Sequence, residues 1–232
     1  MSILRLLGIA AVLTVLAGVS ASAEMIVYTS DGNRYVLNLT CPEIRSITID
    51  GGSASVSCGD SPASSGTYID DWGTTVTTPC GEDSFADQVM EFHVGHPSPP
   101  ERHWSPERAL GPPDFTYDYS NILVLGCGGV VTLAWNNAFL IDVPGDDLHI
   151  FEANMDRVQD VEPVQVSVSP NGWHWYNVGY IQAGKSSIDI GPYVRPGELF
   201  RYVRLVDMRG DCDTNYPGAE IDAVAAIGCR RR

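Results

Sequence analysis

Short runs rich in β-branched and aromatic residues recur along this chain between clusters of glycine, proline, asparagine and aspartate, and no helical period is found after residue 24. Such runs, separated by turn residues, are typical of antiparallel β-sandwiches and barrels. In one of them Val164, Val166 and Val168 alternate with polar residues, which predicts a strand with one solvated face. We therefore expect an all-β fold, an antiparallel two-sheet β-sandwich.

The N-terminus has the features of a signal peptide. Arg5 precedes an apolar run, and Ala21-Ser22-Ala23 supplies the small residues that signal peptidase requires. We predict a signal peptide over residues 1–23 and export to the periplasm, the cell surface or the medium. An uncleaved membrane anchor is the alternative, but the run is short for a transmembrane span, and no later segment is long and apolar enough to cross a membrane.

Composition shifts along the chain predict its domain organisation. Residues 24–60 hold four β-rich runs and are expected to form a small β-hairpin-rich segment. Residues 61–83, rich in serine, threonine, glycine and aspartate, are expected to be a linker or loop. The sandwich is predicted over residues 84–229, and the three arginines at 230–232 are expected to form a solvated basic tail.

The chain has six cysteines, an even number, which in an exported protein predicts disulfides. Zinc binding is the alternative, but no pair has CxxC spacing and no histidine lies close to a cysteine. The spacings favour a local Cys41–Cys58 bridge and a Cys80–Cys229 bridge that joins the two ends of a domain. Cys127–Cys212 is then the remaining pair.

The formal net charge of −15 argues against two classes of partner. A nucleic-acid backbone needs a positive stripe on the protein, and an anionic membrane surface also attracts positive charge. The oligomeric state is left open by the sequence.

Seven short pieces of the chain follow one another in a recognisable order. They are Phe-Ala-Asp at 85–87, Ala-Leu-Gly-Pro-Pro-Asp at 109–114, Leu-Gly-Cys-Gly-Gly-Val-Val-Thr-Leu at 125–133, Pro-Gly-Asp-Asp-Leu-His-Ile-Phe-Glu at 144–152, Ser-Pro-Asn-Gly-Trp-His-Trp at 169–175, Tyr-Val-Arg-Leu at 202–205 and Gly-Ala-Glu-Ile-Asp-Ala-Val at 218–224. This order resembles the galactose-binding-like β-sandwich of bacterial cell-surface proteins, which is related to discoidin and coagulation-factor C-type modules. The resemblance covers residues 84–229 and implies a sandwich of jelly-roll type.

The resemblance implies a structural Ca²⁺ between an early loop and the last strand. Ca²⁺ takes six to eight oxygen ligands, which acidic loops supply well. Carried over by position, Asp114 ends the early loop, while Glu220 and Asp222 lie on the last strand and share one face by its period of two. Asp87 and Glu152 are further candidate ligands. The alternative is that these carboxylates are simply solvated.

The segment around Asn171-Gly172 carries the candidate ligand-binding residue. Asn-Gly predicts a type I′ hairpin turn. Trp175, on the strand that follows, is expected to pack between the sheets, whereas Trp173 replaces a smaller polar residue of the family and is a candidate for stacking on a sugar.

No catalytic motif is found: the chain has no GxSxG, HExxH, P-loop or Rossmann glycine pattern. The leading hypothesis, from the resemblance together with this absence, is a secreted or cell-surface, non-catalytic binding module, stabilised by Ca²⁺, that recognises a glycan or another surface ligand. A structural or interaction protein of the bacterial cell envelope is the alternative. A hydrolase that uses loop carboxylates such as Asp146 or Glu152 is the third hypothesis.

Overall fold

The computed structural model describes residues 65–232 except 117–119, 154–161, 183 and 211, and it describes the course of six strands before residue 65. The chain divides into two compact units, an N-terminal unit, Met1–Pro62, and a C-terminal unit, Ala63–Arg232. Among the described residues, no helix has the length and apolar character needed to cross a membrane.

The N-terminal unit contains a four-stranded antiparallel sheet, β1-β2-β3-β4, and a separate hairpin, β5-β6. Its strands are β1 Ile3–Leu6, β2 Ile9–Thr14, β3 Ala23–Tyr28, β4 Arg34–Leu39, β5 Glu43–Asp50 and β6 Ser53–Gly59. The last four correspond to the four β-rich runs of the predicted hairpin-rich segment. Strands β1 and β2 fall within the predicted signal peptide, and β3 begins at the residue before the predicted cleavage site; cleavage stays a prediction.

The C-terminal unit is built from fourteen described strands and three short 3-10 turns, at Gly81–Ser84, Glu101–His103 and Pro106–Ala109. The strands are β7 Gly66–Ile69, β8 Thr75–Thr78, β9 Gln88–His93, β10 Leu123–Val124, β11 Val130–Ala134, β12 Ala138–Ile141, β13 Leu148–Glu152, β14 Val164–Ser169, β15 Tyr176–Ile181, β16 Ser187–Ile188, β17 Leu199–Phe200, β18 Tyr202–Asp207, β19 Glu220–Ala226 and β20 Cys229–Arg231.

Two antiparallel sheets enclose the main core of this unit. One has the order β10-β19-β13-β16 and the other β15-β14-β18-β11-β9, and a small sheet, β17-β12-β20, adjoins them. The alternation along β14 has its expected effect, because Val164, Val166 and Val168 are fully buried while Gln165 and Ser167 are half-buried. Side chains from both large sheets share one apolar cluster. The predicted all-β, two-sheet sandwich is confirmed.

The hairpin β7–β8 covers the outer face of the sheet β10-β19-β13-β16. A second apolar cluster forms there, and the Tyr68 ring meets the Phe85 ring edge-on with centroids 4.9 Å apart. The members of this cluster are Val76, Phe85, Phe151, Ala223 and Ala225, with Tyr68 and Ile227 packed against them. The stretch predicted as a linker is therefore not a simple linker: within it, residues 66–78 form a strand pair whose Tyr68 and Val76 pack on the sheet, while Ile69 is exposed.

Two of the three predicted disulfides are confirmed. Cys80 bonds to Cys229 with a Cα–Cα distance of 6.1 Å, and Cys127 bonds to Cys212 at 5.4 Å. The predicted Cys41–Cys58 pair lies outside the described residues, since Cys41 and the side chain of Cys58 are not among them.

The predicted solvated tail, residues 230–232, contains part of strand β20. Arg231 is half-buried, donates from Nη2 to the carbonyl of Cys80 at 2.8 Å, and donates from Nε to Asp83 Oδ2 at 3.1 Å. The expectation was wrong for Arg231 because strand pairing with β12 and these two hydrogen bonds hold its guanidinium on the domain.

Candidate functional site

A cavity of about 160 Å³ lies where hairpin β7–β8, the loop after residue 112 and the ends of β13 and β19 meet. We call it the acidic cavity, because four of its ten described lining residues are carboxylic acids. It is lined by Tyr68, Ile69, Asp70, Asp71, Pro113, Phe115, Phe151, Glu152, Ala153 and Asp222.

A β-bulge places Asp222 in this cavity. Phe151 of β13 pairs with Ala223 and Glu152 pairs with Ile221, so that Asp222 is an extra residue with no partner on β13. Bulges commonly re-aim a side chain next to a functional site. Both carboxylate oxygens of Asp222 accept backbone hydrogen bonds from the early loop, Oδ1 from Asp114 N–H at 3.2 Å and Oδ2 from Phe115 N–H at 3.4 Å.

Burial raises the pKa of Asp222 to about 7, with a further contribution from the negative charges of Asp114 and Asp71. The two backbone hydrogen bonds favour the ionised carboxylate and limit this rise in pKa. The ionised form of Asp222 is therefore costly at neutral pH unless a positive charge lies nearby.

Glu152, the last residue of β13, is the second buried acid of the cavity. Only 5% of its surface is exposed, and its Oε2 has no hydrogen-bond partner among the described residues. Burial, together with the nearby charges of Glu220 and Glu162, raises the pKa of Glu152 well above its usual range, while the backbone N–H of Glu162 opposes the rise. A buried acceptor without a partner is costly, and a proton or a cation relieves that cost.

The turn of hairpin β7–β8 brings Asp70 to the same cavity and ties it to the sheet. Asp70 Oδ1 accepts the N–H groups of Trp72 at 3.0 Å and Thr74 at 2.6 Å, and Oδ2 lies 3.4 Å from His149 Nε2. The other ring nitrogen of His149 lies 2.8 Å from Ser187 Oγ. Burial lowers the pKa of His149 to about 4 despite the opposing charge of Asp70, so this imidazole is neutral at pH 7.

The remaining predicted ligands lie in different surroundings. Asp114 is exposed, and its Oδ1 accepts a hydrogen bond from Asn121 Nδ2 at 3.0 Å. Glu220 is half-buried at the start of β19 and close enough to raise the pKa of Glu152. Asp87 does not line the acidic cavity; its Oδ1 accepts the N–H of Asn136 at 2.9 Å and fixes the turn after β11.

The sequence analysis missed the two cavity acids Asp70 and Asp71, because they fall in the stretch interpreted as a linker. A signal was present: Asp70-Asp71-Trp72-Gly73 is a turn sequence between two short alternating runs, which is typical of a hairpin. Because this hairpin covers the sheet beside Glu152 and Asp222, its turn residues Asp70 and Asp71 line the same cavity.

A second acidic group lies elsewhere in the C-terminal unit. Carboxylate oxygens of Asp142, Asp147 and Asp189 lie within 4.8 Å of one another. Asp147 is fully buried and its two oxygens accept the N–H groups of Val143 at 2.7 Å and Ile190 at 2.9 Å. These hydrogen bonds give Asp147 a structural role in joining two loops.

The loop after β14 presents Trp173 to solvent. Asn171 Oδ1 accepts the N–H groups of Trp173 and His174, both at 2.9 Å, and Trp173 is 90% exposed. Only Gly172, at φ +79°, has a positive φ in this turn, so it is not the predicted type I′ turn, which needs two such residues.

The sequence analysis expected Trp175 between the sheets, but it is half-buried on the surface. The guanidinium carbon of Arg204 lies 4.1 Å from the centroid of its ring, and its Nε1 donates to Gly172 O at 3.1 Å. The tryptophan that fills the core is Trp135, which is fully buried and donates from Nε1 to Ser84 O at 2.8 Å. The expectation was wrong because the loop extends to residue 175 and β15 begins only at Tyr176.

Comparison with known proteins gives little to add to this geometry. No family model matches the chain, and no curated protein matches it. The chain is similar to the crystal structure of the C-terminal domain of a chitobiase from Bacteroides fragilis, with a TM-score of 0.39 and 12% identity over 65% of this chain and 95% of that chain. At this TM-score the similarity carries no argument about function.

Proposed function

We propose that the C-terminal unit is a non-catalytic binding module of an exported protein, that Ca²⁺ held in the acidic cavity stabilises it, and that it recognises a glycan or another surface ligand. The observation that carries this proposal is that two buried acids line one cavity: Glu152, whose Oε2 has no hydrogen-bond partner among the described residues, and Asp222, whose pKa is raised. The resemblance to galactose-binding-like modules points to the same function.

The residues of the acidic cavity fit a hard divalent cation. Ca²⁺ prefers carboxylate and carbonyl oxygens, and the described lining residues of the cavity include four carboxylic acids and neither lysine nor arginine. Glu152 and Asp222 are the two buried acids with raised pKa values and are the first candidate ligands. Asp70, which is also buried, Asp71 and the neighbouring Asp114 are further candidates. A bound Ca²⁺ would supply the positive charge that their ionised forms lack, and would thereby hold hairpin β7–β8 and the early loop on the sandwich.

Export is supported by the two disulfides of the C-terminal unit, because structural disulfides form and persist in oxidising compartments. Recognition of a glycan is supported by the exposed indole of Trp173, whose loop is fixed by hydrogen bonds before any ligand arrives. Fixing a binding loop in advance lowers the entropic cost of binding.

The calcium part of the proposal is tested by thermal unfolding of the oxidised protein in EDTA and then in millimolar Ca²⁺. A ligand that binds only the folded state at a hundredfold excess over its dissociation constant adds about 2.7 kcal/mol of stability. We expect the melting temperature to rise by several degrees, and to rise more at pH 8 than at pH 6, because the pKa of Asp222 is about 7 and the ionised carboxylate is the ligand.

Two variants make the result specific to the acidic cavity. Asp222→Asn is expected to abolish the Ca²⁺-dependent shift. Glu101→Gln, which changes an exposed acid outside the cavity, is expected to keep it in full. A shift that survives in Asp222→Asn, or no shift in the unchanged protein, contradicts a calcium site in the cavity.

A further inference from the structure

A groove of about 460 Å³ opens at the side of the sandwich, far larger than the acidic cavity and sharing no residue with it. It lies beside β15 and β16, which are the edge strands of the two large sheets. We call it the tyrosine groove. It is lined by Asp146, Val178, Gly179, Tyr180, Gln182, Lys185, Ile188, Asp189, Pro192 and Tyr193.

Local backbone structure shapes one wall of this groove. Val166 of β14 pairs with Gly179 and Ser167 pairs with Asn177, so that Val178 is an extra, bulged residue of β15. Gly179 follows the bulge with φ +115°, a conformation that favours glycine, and its N–H donates to Asn177 Oδ1 at 3.0 Å. The bulge thereby sets the direction of the next residue in the strand, Tyr180.

The opposite wall is held by short loops. Tyr193 donates its N–H to Ile190 O at 2.9 Å, and a Cβ on Gly179 would lie 3.9 Å from the Tyr193 hydroxyl, so the phenol lies against the bulge. Gln182 and Lys185 exchange both backbone hydrogen bonds, at 3.2 and 2.9 Å, at the turn that leads from β15 to β16. The groove is thus built on hydrogen-bonded elements of the scaffold.

The lining combines aromatic surface with hydrogen-bonding groups. Tyr180 is 53% exposed and Tyr193 is 52% exposed, so both rings offer open surface. Gln182, Lys185 and Asp189 are exposed around them, and Asp146 lies on the loop before β13. Two carboxylates and one ammonium leave the groove with a net charge of −1, which does not favour a phosphorylated or sulfated ligand in a chain of net charge −15.

We propose that the tyrosine groove is the ligand site of the module and that it binds a neutral hexose or N-acetylhexosamine unit of a glycan. The apolar C–H face of the sugar ring packs on Tyr180 and Tyr193, and its hydroxyls exchange hydrogen bonds with Gln182, Lys185 and Asp189. The volume falls in the range of small-molecule sites, roughly 300–1,000 Å³. This inference rests on the proposed function and moves its ligand site away from Trp173.

The chain offers a direct probe of this groove, because Lys185 is its one lysine. Acetylation of the oxidised protein with an amine-reactive ester, followed by peptide mass spectrometry, reports on this side chain alone apart from the N-terminal amine. The probes are glucose, galactose, mannose and N-acetylglucosamine, each at millimolar concentration, with glucose 6-phosphate as the charged comparison. Saturation-transfer NMR measures binding of the same sugars independently.

We expect at least one neutral sugar to bind and to slow acetylation of Lys185 severalfold. Tyr180→Ala and Tyr193→Ala are expected to weaken that binding by about tenfold, since loss of an aromatic contact of this kind costs about 1.4 kcal/mol or a factor of ten. Tyr193→Phe keeps the ring and is expected to bind within about threefold of the unchanged protein. The melting temperatures of these variants are expected to equal that of the unchanged protein, because Tyr180 and Tyr193 are exposed, and this control shows that the fold is intact.

The variant Trp173→Ala separates failure of this inference from failure of the proposed function. Binding lost in Trp173→Ala but kept in the two tyrosine variants overturns the tyrosine groove and leaves a glycan-binding module. Preference for glucose 6-phosphate over glucose overturns the neutral ligand. Binding of none of the sugars overturns both the groove and the glycan part of the proposed function.

Discussion

Replacing His149 by asparagine removes a buried titrating group from beneath hairpin β7–β8, and this changes how stability depends on pH. The imidazole is fully buried between Asp70 and Ser187, and burial lowers its pKa from 6.5 to about 4. The unfolded chain therefore binds this proton more tightly than the folded protein does. The stability that the neutral imidazole contributes is complete above pH 6.5 and is lost as the pH falls towards 4.

The magnitude follows from the size of the shift. Near pH 4 the imidazole is fully protonated in the unfolded chain and only begins to be protonated in the folded protein. A pKa lowered from 6.5 to about 4 then reduces the free energy of unfolding by about 3 kcal/mol. At pH 5 the loss is about 2 kcal/mol. The buried acids Asp222 and Glu152 act in the opposite direction, because their raised pKa values favour the folded state as the pH falls.

The assay compares two proteins so that the opposing acids cancel. Urea unfolding in EDTA, followed by tryptophan fluorescence at pH 8 and pH 5, gives the change in unfolding free energy for the unchanged protein and for His149→Asn. The unchanged protein is expected to lose about 2 kcal/mol more than the variant between these pH values. The exposed His174→Asn is the matched control and is expected to follow the unchanged protein. Equal pH dependence in His149→Asn and the unchanged protein would refute the reasoning.

Two further substitutions test what holds the sandwich together. Asp207 is buried and accepts hydrogen bonds from three backbone N–H groups at 2.6 to 3.3 Å. Asp207→Asn loses at least one of these hydrogen bonds and is expected to lower the free energy of urea unfolding by about 2 kcal/mol. The exposed Asp213→Asn is expected to lower it little. Trp135→Phe removes the hydrogen bond to Ser84 O and leaves a void, so it is expected to lower the unfolding free energy by about 2 to 3 kcal/mol in the same assay. The exposed Trp173→Phe is the control and is expected to leave the unfolding free energy unchanged. Costs below about 0.5 kcal/mol would show that the loops or the core adjust to these losses.

Long strands in this chain can be predicted from local patterns, whereas very short strands and strands that depend on a distant partner cannot. The run around Val164 to Val168 alternates because one face of β14 is buried, and that signal needs no knowledge of the rest of the chain. Strands such as Leu199–Phe200 have only two residues, too few for an alternation to be seen. Hairpin β7–β8 was not predicted for a different reason. Threonine and glycine occur in both loops and strands, and the surface on which the hairpin packs, the outer face of the sheet β10-β19-β13-β16, exists only in the folded chain.

Part of the candidate site was predicted through the resemblance to galactose-binding-like modules, which put Asp222 and Glu152 among the candidate ligands; both line the acidic cavity. Asp222 and Glu152 belong to adjacent strands of one sheet, and the loop that ends at Asp114 lies beside them. The bulge that leaves Asp222 unpaired depends on how β13 and β19 align, which no single strand encodes. The tyrosine groove was not predicted, since Tyr180 and Tyr193 come together only where the edges of two sheets meet.

The Cys80–Cys229 bridge has a mechanical consequence. It connects the residue before the first 3-10 turn to the start of the last strand, so it spans 149 residues of sequence with its two Cα atoms 6.1 Å apart. Tension applied to the chain before residue 80 and after residue 229 therefore passes through one covalent bond, and the intervening sheets carry little of it. A module anchored on one side and pulled on the other would keep the sandwich between residues 80 and 229 folded under load, whereas hairpin β7–β8 lies outside the bridge and could peel away.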